Sequence, residues 1–533
     1  MTGRHDLDQR LLMHRRRFLG LLAGSTGALV LGACSDGSSG SSTTSTTAAV
    51  PPAEGIDADP FALGVASGDP DPRSVVLWTR LVVDPLADDG WGGIGEVDHA
   101  VRWEVATDEG FDDVVASGLE PAPAELGHSV HVTVDGLAAG TGYWYRFQIG
   151  EFTSPVGRTR TAPADDDAVD QLTLAFASCQ LRTAGAWSAY PHLVDDEPDL
   201  VLFLGDYVYE YPGGEGETAV PLDDEPQTLA DYRLLYGAYK RDAGLQAAHA
   251  VAPWVVTWDD HEVENNYAAG VPEDDDDAPG FDERRRAAYQ AFWEHHPLRI
   301  DPPADDGSLQ VHRSLRWGTL AEVFVLDGRQ FRSDQVCGDQ VATNRRECPE
   351  IDDEDRTMLG AEQEAWLDEG LTGSDATWKV LAQQTVMKAL VLGDIVLNVD
   401  QWDGYPAARA RLLRTIEQEG VDNVVVLTGD IHAAGAADLR SPDANADGPV
   451  VAAELVGTSI SSPGFGSLVD GLDLSPLGLA YANFADHGYA RCTVTPETWR
   501  CEFVVVDDLT DGAAASVDAT VEIAAGTPGV RRV

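Results

Sequence analysis

Six short, almost unbroken apolar runs, Leu172–Ala177, Leu200–Leu204, 254–258, 320–326, 378–383 and 423–427, alternate with helix-like stretches at 228–247, 282–296 and 361–369. A run of this length without period-two alternation reads as a strand covered on both faces. Strands interleaved with helices make an α/β domain. In such domains polar ligands collect just past the C-terminal ends of the strands.

Upstream, residues 59–162 have another texture. Short alternating runs at 74–79, His99–Ala106, 128–134 and 143–149, separated by turn residues, suggest a β-sandwich. Within it, Leu137-Ala138-Ala139-Gly140-Thr141-Gly142-Tyr143 resembles the tyrosine corner of fibronectin-like domains. A Pro- and Asp-rich linker over 162–170 separates the two regions, and the 533 residues are ample for both plus a leader.

The leader is written in the first residues. Arg15-Arg16-Arg17-Phe18-Leu19 precedes an apolar run over 21–31, a signal peptide rather than a membrane span, and the arginines resemble a twin-arginine export signal. Leu31-Gly32-Ala33-Cys34 then resembles a lipobox in which Cys34 is lipidated; cleavage with release is the alternative. Residues 35–58 begin with Ser, Thr and Gly and read as a flexible tether. The boundaries that follow are 1–34 signal, 35–58 tether, 59–162 sandwich, 170–515 catalytic domain and 516–533 tail.

Charge removes some functions. Asp and Glu number 90 against 36 Lys and Arg, a formal net charge of −54. Such a surface repels nucleic acid and anionic lipid, so membrane contact is confined to an N-terminal lipid anchor. The acidic runs at 274–277 and 351–355 read as solvated loops. Among six cysteines, Cys337 with Cys348, and Cys492 with Cys501 across the turn at Pro496-Glu497-Thr498, fit two local disulfides in an oxidising compartment. Cys179 is left over.

Four polar clusters carry chemistry: Ala177-Ser178-Cys179-Gln180; Gly205-Asp206-Tyr207-Val208-Tyr209-Glu210; Trp258-Asp259-Asp260-His261-Glu262-Val263-Glu264-Asn265-Asn266; and Gly429-Asp430-Ile431-His432. Each follows a strand. Carboxylates suit hard cations, and thiolate with imidazole suits softer ones. Asp206 after a strand-end glycine can bridge two ions, with Tyr209 returning to the same place; thiolate plus tyrosinate points to iron(III). Asp430 and His432 share one side of an extended segment. His261 is placed to give a proton to a leaving oxygen. Any one cluster is commonplace; the four in order are not.

Their order, Gly-Asp-x-x-Tyr, Asp-His-Glu, Gly-Asp-x-His, resembles the calcineurin-like metallophosphoesterases, in the version seen in PhoD-type phosphatases. Ser178-Cys179 stands where other members carry Asp-x-His, Asp260-His261-Glu262 replaces Asn-His-Glu/Asp, and Asp430 replaces the first histidine of Gly-His-x-His. Residues 64–70, 77–80, 326–333 and 401–405 are similar to segments of the same family, and the resemblance spans about 59–506.

The resemblance implies an α/β fold: a four-layer αββα metallophosphoesterase domain preceded by an immunoglobulin/fibronectin-like β-sandwich. It implies iron(III) on Cys179, Asp206 and Tyr209 with His432 nearby. It implies calcium around Asp206, Asp260, Asp430 and one of Asn265 or Asn266, with the family pattern pointing to Asn266. The expected activity is alkaline phosphatase or phosphodiesterase: hydrolysis of phosphate mono- and diesters by metal-activated water, for phosphate scavenging outside the cell. His261 and Asp260 are the catalytic candidates, and Arg329 and Arg332 are read as structural rather than phosphate-binding. The expected partners are phosphate esters and the twin-arginine machinery. A phospholipase-D-like phosphodiesterase on the same scaffold, and a calcium-dependent non-enzymatic surface binder, are the alternatives.

Overall fold

The computed structural model describes residues 49–533 apart from 274–278, 339–341, 443–447, 465 and 467–473. The signal segment, Cys34, the first part of the tether and the acidic run at 274–277 lie outside the described residues.

Two large sheets dominate. The first has ten strands in the order Thr527–Arg532, Ala515–Ala524, Thr498–Val506, His487–Val494, Leu172–Ala177, Leu200–Leu204, Trp254–Thr257, Val65–Asp71, Ser74–Arg80, Ser129–Asp135. Its centre is parallel, with Val201 opposite both Ala175 and Trp254. The second has seven strands in the order Arg313–Trp317, Ala321–Val325, Trp378–Ala382, Val424–Thr428, Val450–Val456, Ala434–Arg440, Leu479–Asn483.

Alternation along the strands explains the packing. Leu172, Leu174 and Phe176 point toward Val323, Val325, Val380 and Val425 of the second sheet, forming one apolar core between the sheets. Ala175, Ala177, Val201 and Phe203 point the other way, onto the helices Ala189–Asp195, Leu229–Lys240, Ala243–Val251 and Phe281–His295. Phe324, Leu381, Val424 and Val426 likewise leave the second sheet to meet Leu367 and Leu371 of helix Ala361–Gly373 and Leu412, Leu413 and Ile416 of helix Pro406–Glu419. Because both faces are covered, these strands carry no polar face, hence the unbroken apolar runs.

The stretch 228–247 is two helices, not one. Thr228 caps the first through a capping box with Asp231, and Asp242 caps the second by accepting the Leu245 N–H at 3.0 Å. A second N-cap inside an amphipathic stretch ends one helix and starts another.

Upstream, strands Val114–Ala122, His99–Ala106, Gly142–Ile149, Phe152–Thr153 and Gly157–Arg160 form a separate sheet. It shares a core of Val101, Val105, Tyr145 and Phe147 with Val75, Leu77, Val130 and Val132 of the ten-stranded sheet. The N-terminal region is therefore joined to the catalytic sheet by backbone pairing, Gly68 opposite Trp254. A Cβ on Gly68 would lie 2.5 Å from the Pro297 carbonyl oxygen and 2.6 Å from that of Trp254, so this junction requires glycine. Asp69 locks it by accepting from the Arg299 N–H at 2.8 Å and from Arg313 Nη2 at 2.7 Å. His131 stacks on Trp293 at 4.0 Å and lies 2.8 Å from the His296 carbonyl.

Two expected boundaries are corrected. The tether ends earlier than residue 58: the Gly150 N–H donates to the Pro51 carbonyl at 2.7 Å, and Ile56 is buried in the N-terminal core. Residues 516–533 are not a tail. They belong to the strands Ala515–Ala524 and Thr527–Arg532, where Val521 and Ile523 alternate into the inter-sheet core.

Candidate metal centre

The four polar clusters converge. Three follow the adjacent parallel strands Leu172–Ala177, Leu200–Leu204 and Trp254–Thr257, and the fourth follows Val424–Thr428 of the facing sheet. The strand ends are tightly apposed: a Cβ on Gly205 would lie 2.5 Å from the Asp259 Cβ, and Gly205 has φ 103°. Only glycine allows the chain to turn there without a clash.

Three groups of ligating atoms result, each with its atoms within 4.8 Å of one another: Cys179, Asp206 and His432; Asp206, Asp260 and His261; and Asp259, Asp260 and Asp430. Asp206 belongs to the first two and Asp260 to the last two, so the groups form one chain of sites. Tyr209 closes the first, its hydroxyl donating to Asp206 Oδ2 at 2.9 Å and lying 3.0 Å from His432 Nε2. His432 Nδ1 lies 2.9 Å from the Pro463 carbonyl, which directs Nε2 inward.

The backbone here is strained. Cys179, Asp206, Asn266, Asp430 and His432 all have φ between 49° and 63°, a region that non-glycine residues enter only where the surroundings hold them. Glu262 is one such restraint: its carboxylate accepts the backbone N–H groups of Asp206, Tyr207 and Asp259 at 3.1, 2.6 and 2.8 Å. Of the two asparagines, Asn265 donates its amide to Glu273 at 2.6 Å. The Asn266 N–H donates to Asp260 Oδ2 at 2.7 Å, which brings that residue to the ligand group.

Acidic groups crowd the centre, with Arg329 and His261 the cations beside them. Burial, then the nearby Asp206 carboxylate, pushes the Cys179 thiol far up, and the same causes raise Tyr209. Burial also lifts Asp206, against the pull of His261, and together with Asp260 and Asp400 moves Asp430 up to about 7. Burial opposes protonation of His261, but Glu210, Asp260 and Asp206 outweigh it and hold the imidazole well above its ordinary range. Among the described residues, Asp206 Oδ1, Asp259 Oδ2 and Asp260 Oδ1 are buried without a hydrogen-bond partner; the last has the Arg329 guanidinium 3.5 Å away. Orphaned, buried carboxylate oxygens pointing at one another are costly unless a cation lies between them.

The two arginines are held by buried carboxylates. Arg329 is fully buried; it pairs through Nε with Asp259 and through Nη1 and Nη2 with Asp400 at 2.8 and 2.7 Å. Arg332 adds a contact to Asp400 at 2.6 Å.

Several contributors had not been singled out from the sequence. Glu210 accepts from His261 Nδ1 at 2.7 Å and from the Asn265 N–H at 2.8 Å. Glu262, Asp400 and Gln401, whose amide bonds Asp430, stand inside or beside the recognised segments but carried no separate signal. Ser462 donates to the Tyr209 hydroxyl at 2.8 Å and is 253 residues away from it, beyond any local pattern.

The cysteines divide. Cys337 and Cys348 form a disulfide. Cys492 and Cys501 stand opposite in register but are free, buried thiols, contrary to the expected second bridge. They meet through a hydrogen bond, and burial raises Cys501. Inside the inter-sheet core they pack as small apolar side chains.

Comparison with known proteins agrees with this geometry. Residues 174–503 match the family model for PhoD-like phosphatase, and residues 45–163 match that for the PhoD-like phosphatase N-terminal domain. The chain is 45% identical over 486 residues to alkaline phosphatase D of Bacillus subtilis (strain 168), covering 89% of this chain and 82% of that protein. A solved structure described as the structure of PhoD superposes with a TM-score of 0.83 at 43% identity, covering 90% of this chain and 93% of that one. This chain belongs to the PhoD-like phosphatase family and is a phosphoesterase.

Proposed function

We propose that the phosphoesterase works as an exported, metal-dependent alkaline phosphatase/phosphodiesterase on phosphate mono- and diesters, with iron(III) and calcium in the linked groups around Asp206 and Asp260. The observation that carries this reading is the orphaned Oδ1 of Asp206, buried between two ligand groups while its Oδ2 is held by Tyr209. Cys179, Asp206, Tyr209 and His432 supply the thiolate, phenolate and imidazole set that suits iron(III). Asp206, Asp260, Asn266 and Asp430 supply oxygens alone, which suits calcium. Bound there, the cations would neutralise phosphoryl oxygens and lower the pKa of a water toward neutrality.

The chain's own residues do the rest. Glu210 fixes His261 through Nδ1, leaving the opposite nitrogen to serve the leaving oxygen, and the surrounding carboxylates keep the ring protonated as a general acid. Gln401 orients Asp430, and Ser462 orients Tyr209. Glu262 holds the strand-end turn that presents Asp206.

The same reading extends to the rest of the chain. The core between the N-terminal sheets supports an immunoglobulin/fibronectin-like domain, as does the Tyr143 hydroxyl accepting the Ala138 N–H at 2.9 Å. Helices on the outer faces of two packed sheets support a four-layer αββα domain. Twin-arginine export and a lipid anchor on Cys34 rest on the sequence alone; among the described residues no helix is long and apolar enough to cross a membrane. Phosphate scavenging outside the cytoplasm follows from export. Metal analysis of the exported protein, with turnover of p-nitrophenyl phosphate and bis-p-nitrophenyl phosphate at alkaline pH, tests the proposal. About one iron per chain and calcium-dependent turnover support it; folded protein free of both metals, yet fully active, refutes it.

A further inference from the structure

Beside the proposed proton donor stands an aromatic ring that the hydrolytic machinery does not use. Tyr211 is 38% exposed, although most large side chains near the centre are buried. Its ring packs edge-on against His261, with centroids 5.3 Å apart and planes at 69°, and lies 6.3 Å from the ring of Tyr209. Since Glu210 occupies His261 Nδ1, a leaving oxygen must approach the other ring nitrogen. The leaving group then extends from His261, and Tyr211 is the open aromatic surface in contact with that imidazole. Aromatic rings bind flat apolar groups, and more strongly cationic ones, through their faces.

The charge around the ring has one sign. Glu210, the neighbour of Tyr211 in the chain, accepts from His261 Nδ1 at 2.7 Å, and Glu273 accepts from the Asn265 amide at 2.6 Å. Glu210 and Asp260 are buried within the centre. Glu273 is exposed, and the Glu225 side chain is 37% exposed beside its Arg284 partner. A negatively charged leaving group would meet these acids, of which Glu225 is paired with Arg284 at 2.8 Å.

We infer that Tyr211 is the leaving-group platform of this enzyme, and that with Glu225 and Glu273 it selects esters whose leaving group is aromatic and neutral or positively charged over those whose leaving group is anionic. This rests on the metal centre proposed above, with His261 as proton donor. Tyr211 is a specificity residue; it touches the leaving group and not the phosphoryl group.

The test uses metal-loaded enzyme and four monoesters: ethyl phosphate, phenyl phosphate, 4-carboxyphenyl phosphate and 4-(trimethylammonio)phenyl phosphate. For Tyr211→Ala the ratio of kcat/KM for phenyl over ethyl phosphate should fall about tenfold from wild type, the loss of one stacked ring. Tyr211→Phe should retain the ratio. Glu273→Gln should narrow the preference for the cationic over the carboxylate ester about two- to threefold, as expected for one screened, exposed charge. If Tyr211→Ala slows all four esters by the same factor, the ring only buttresses His261 and the inference is wrong while the metal centre stands. A wild-type enzyme inert on all four would overturn the centre and this inference together.

Discussion

The carboxylate of Glu262 accepts the backbone N–H groups of Asp206 and Tyr207 at 3.1 and 2.6 Å. This one side chain holds Asp206 at φ 55° and so aims the carboxylate shared by two ligand groups. Glu262→Gln replaces an acceptor oxygen by an NH2 that faces N–H groups. We expect metal occupancy and kcat to fall together by about 10- to 100-fold, the usual effect of removing a residue that orients a ligand. Elemental analysis beside kinetics checks this; a fall in kcat with metal content intact would place Glu262 elsewhere in the mechanism.

Burial and the Asp206 carboxylate push the Cys179 thiol and the Tyr209 phenol up, and a cation bound as proposed would favour their deprotonated forms. Thiolate and phenolate on iron(III) absorb visible light. Purified enzyme should therefore be coloured, and Tyr209→Phe should shift that absorption while Cys179→Ala abolishes most of it, in parallel with iron content. Colourless enzyme retaining iron and activity would contradict the assignment of these two side chains.

Beneath the ligands, Arg329 meets Asp400 in a two-point pair and also holds Asp259. All three are fully buried. Arg329→Met leaves Asp259 without a counter-charge and Asp400 with Arg332 alone, and should destabilise the fold by about 3–5 kcal/mol. The double variant Arg329→Met/Asp259→Leu, which keeps the Arg332–Asp400 pair, should recover part of that loss. Denaturant unfolding of the two variants measures it, and equal stability of Arg329→Met and wild type would show the network to be dispensable.

Stability should also depend on acid at the junction of the N-terminal region. Burial lowers both His128 and His131 to about 4, below the ordinary value near 6.5. The unfolded chain therefore binds protons that the folded chain refuses. Their contribution is fully present above about pH 6.5 and is lost as pH falls toward 4. His131→Gln keeps an amide donor for the Trp293 and His296 carbonyls that His131 approaches and should flatten the fall of melting temperature over this window. An unchanged slope would mean that other groups govern acid unfolding.

The extent to which the fold was legible follows the range of the forces involved. Leu172–Ala177 and Leu200–Leu204 were read to the residue, because strands covered on both faces are almost wholly apolar. Asp206, Asp260, Asp430 and His432, singled out by their place after strands, converge in the structure because strand-end position is local. The Asp242 cap was missed because propensity alone continues a helix across it. Ala515–Ala524 looked like a tail because its partner, Thr498–Val506, determines its pairing, and its own residues are half exposed. Cys492 and Cys501 were correctly brought face to face by the hairpin, yet adjacency did not decide between a bridge and two packed thiols. Ser462 and Asp400 reach the centre only through tertiary contacts.

Asp206 belongs to two groups of candidate ligands, and the proposed hydrolysis depends on the cations those groups would hold. The direct measurement is metal content and kcat of Asp206→Asn, exported and folded as wild type. Loss of both iron and calcium is expected, together with a fall in kcat of about 10³ or more, the order that follows when preorganised charge at the phosphoryl group is removed. Asp206→Asn that keeps near-native turnover, or loses turnover with both metals in place, would contradict it.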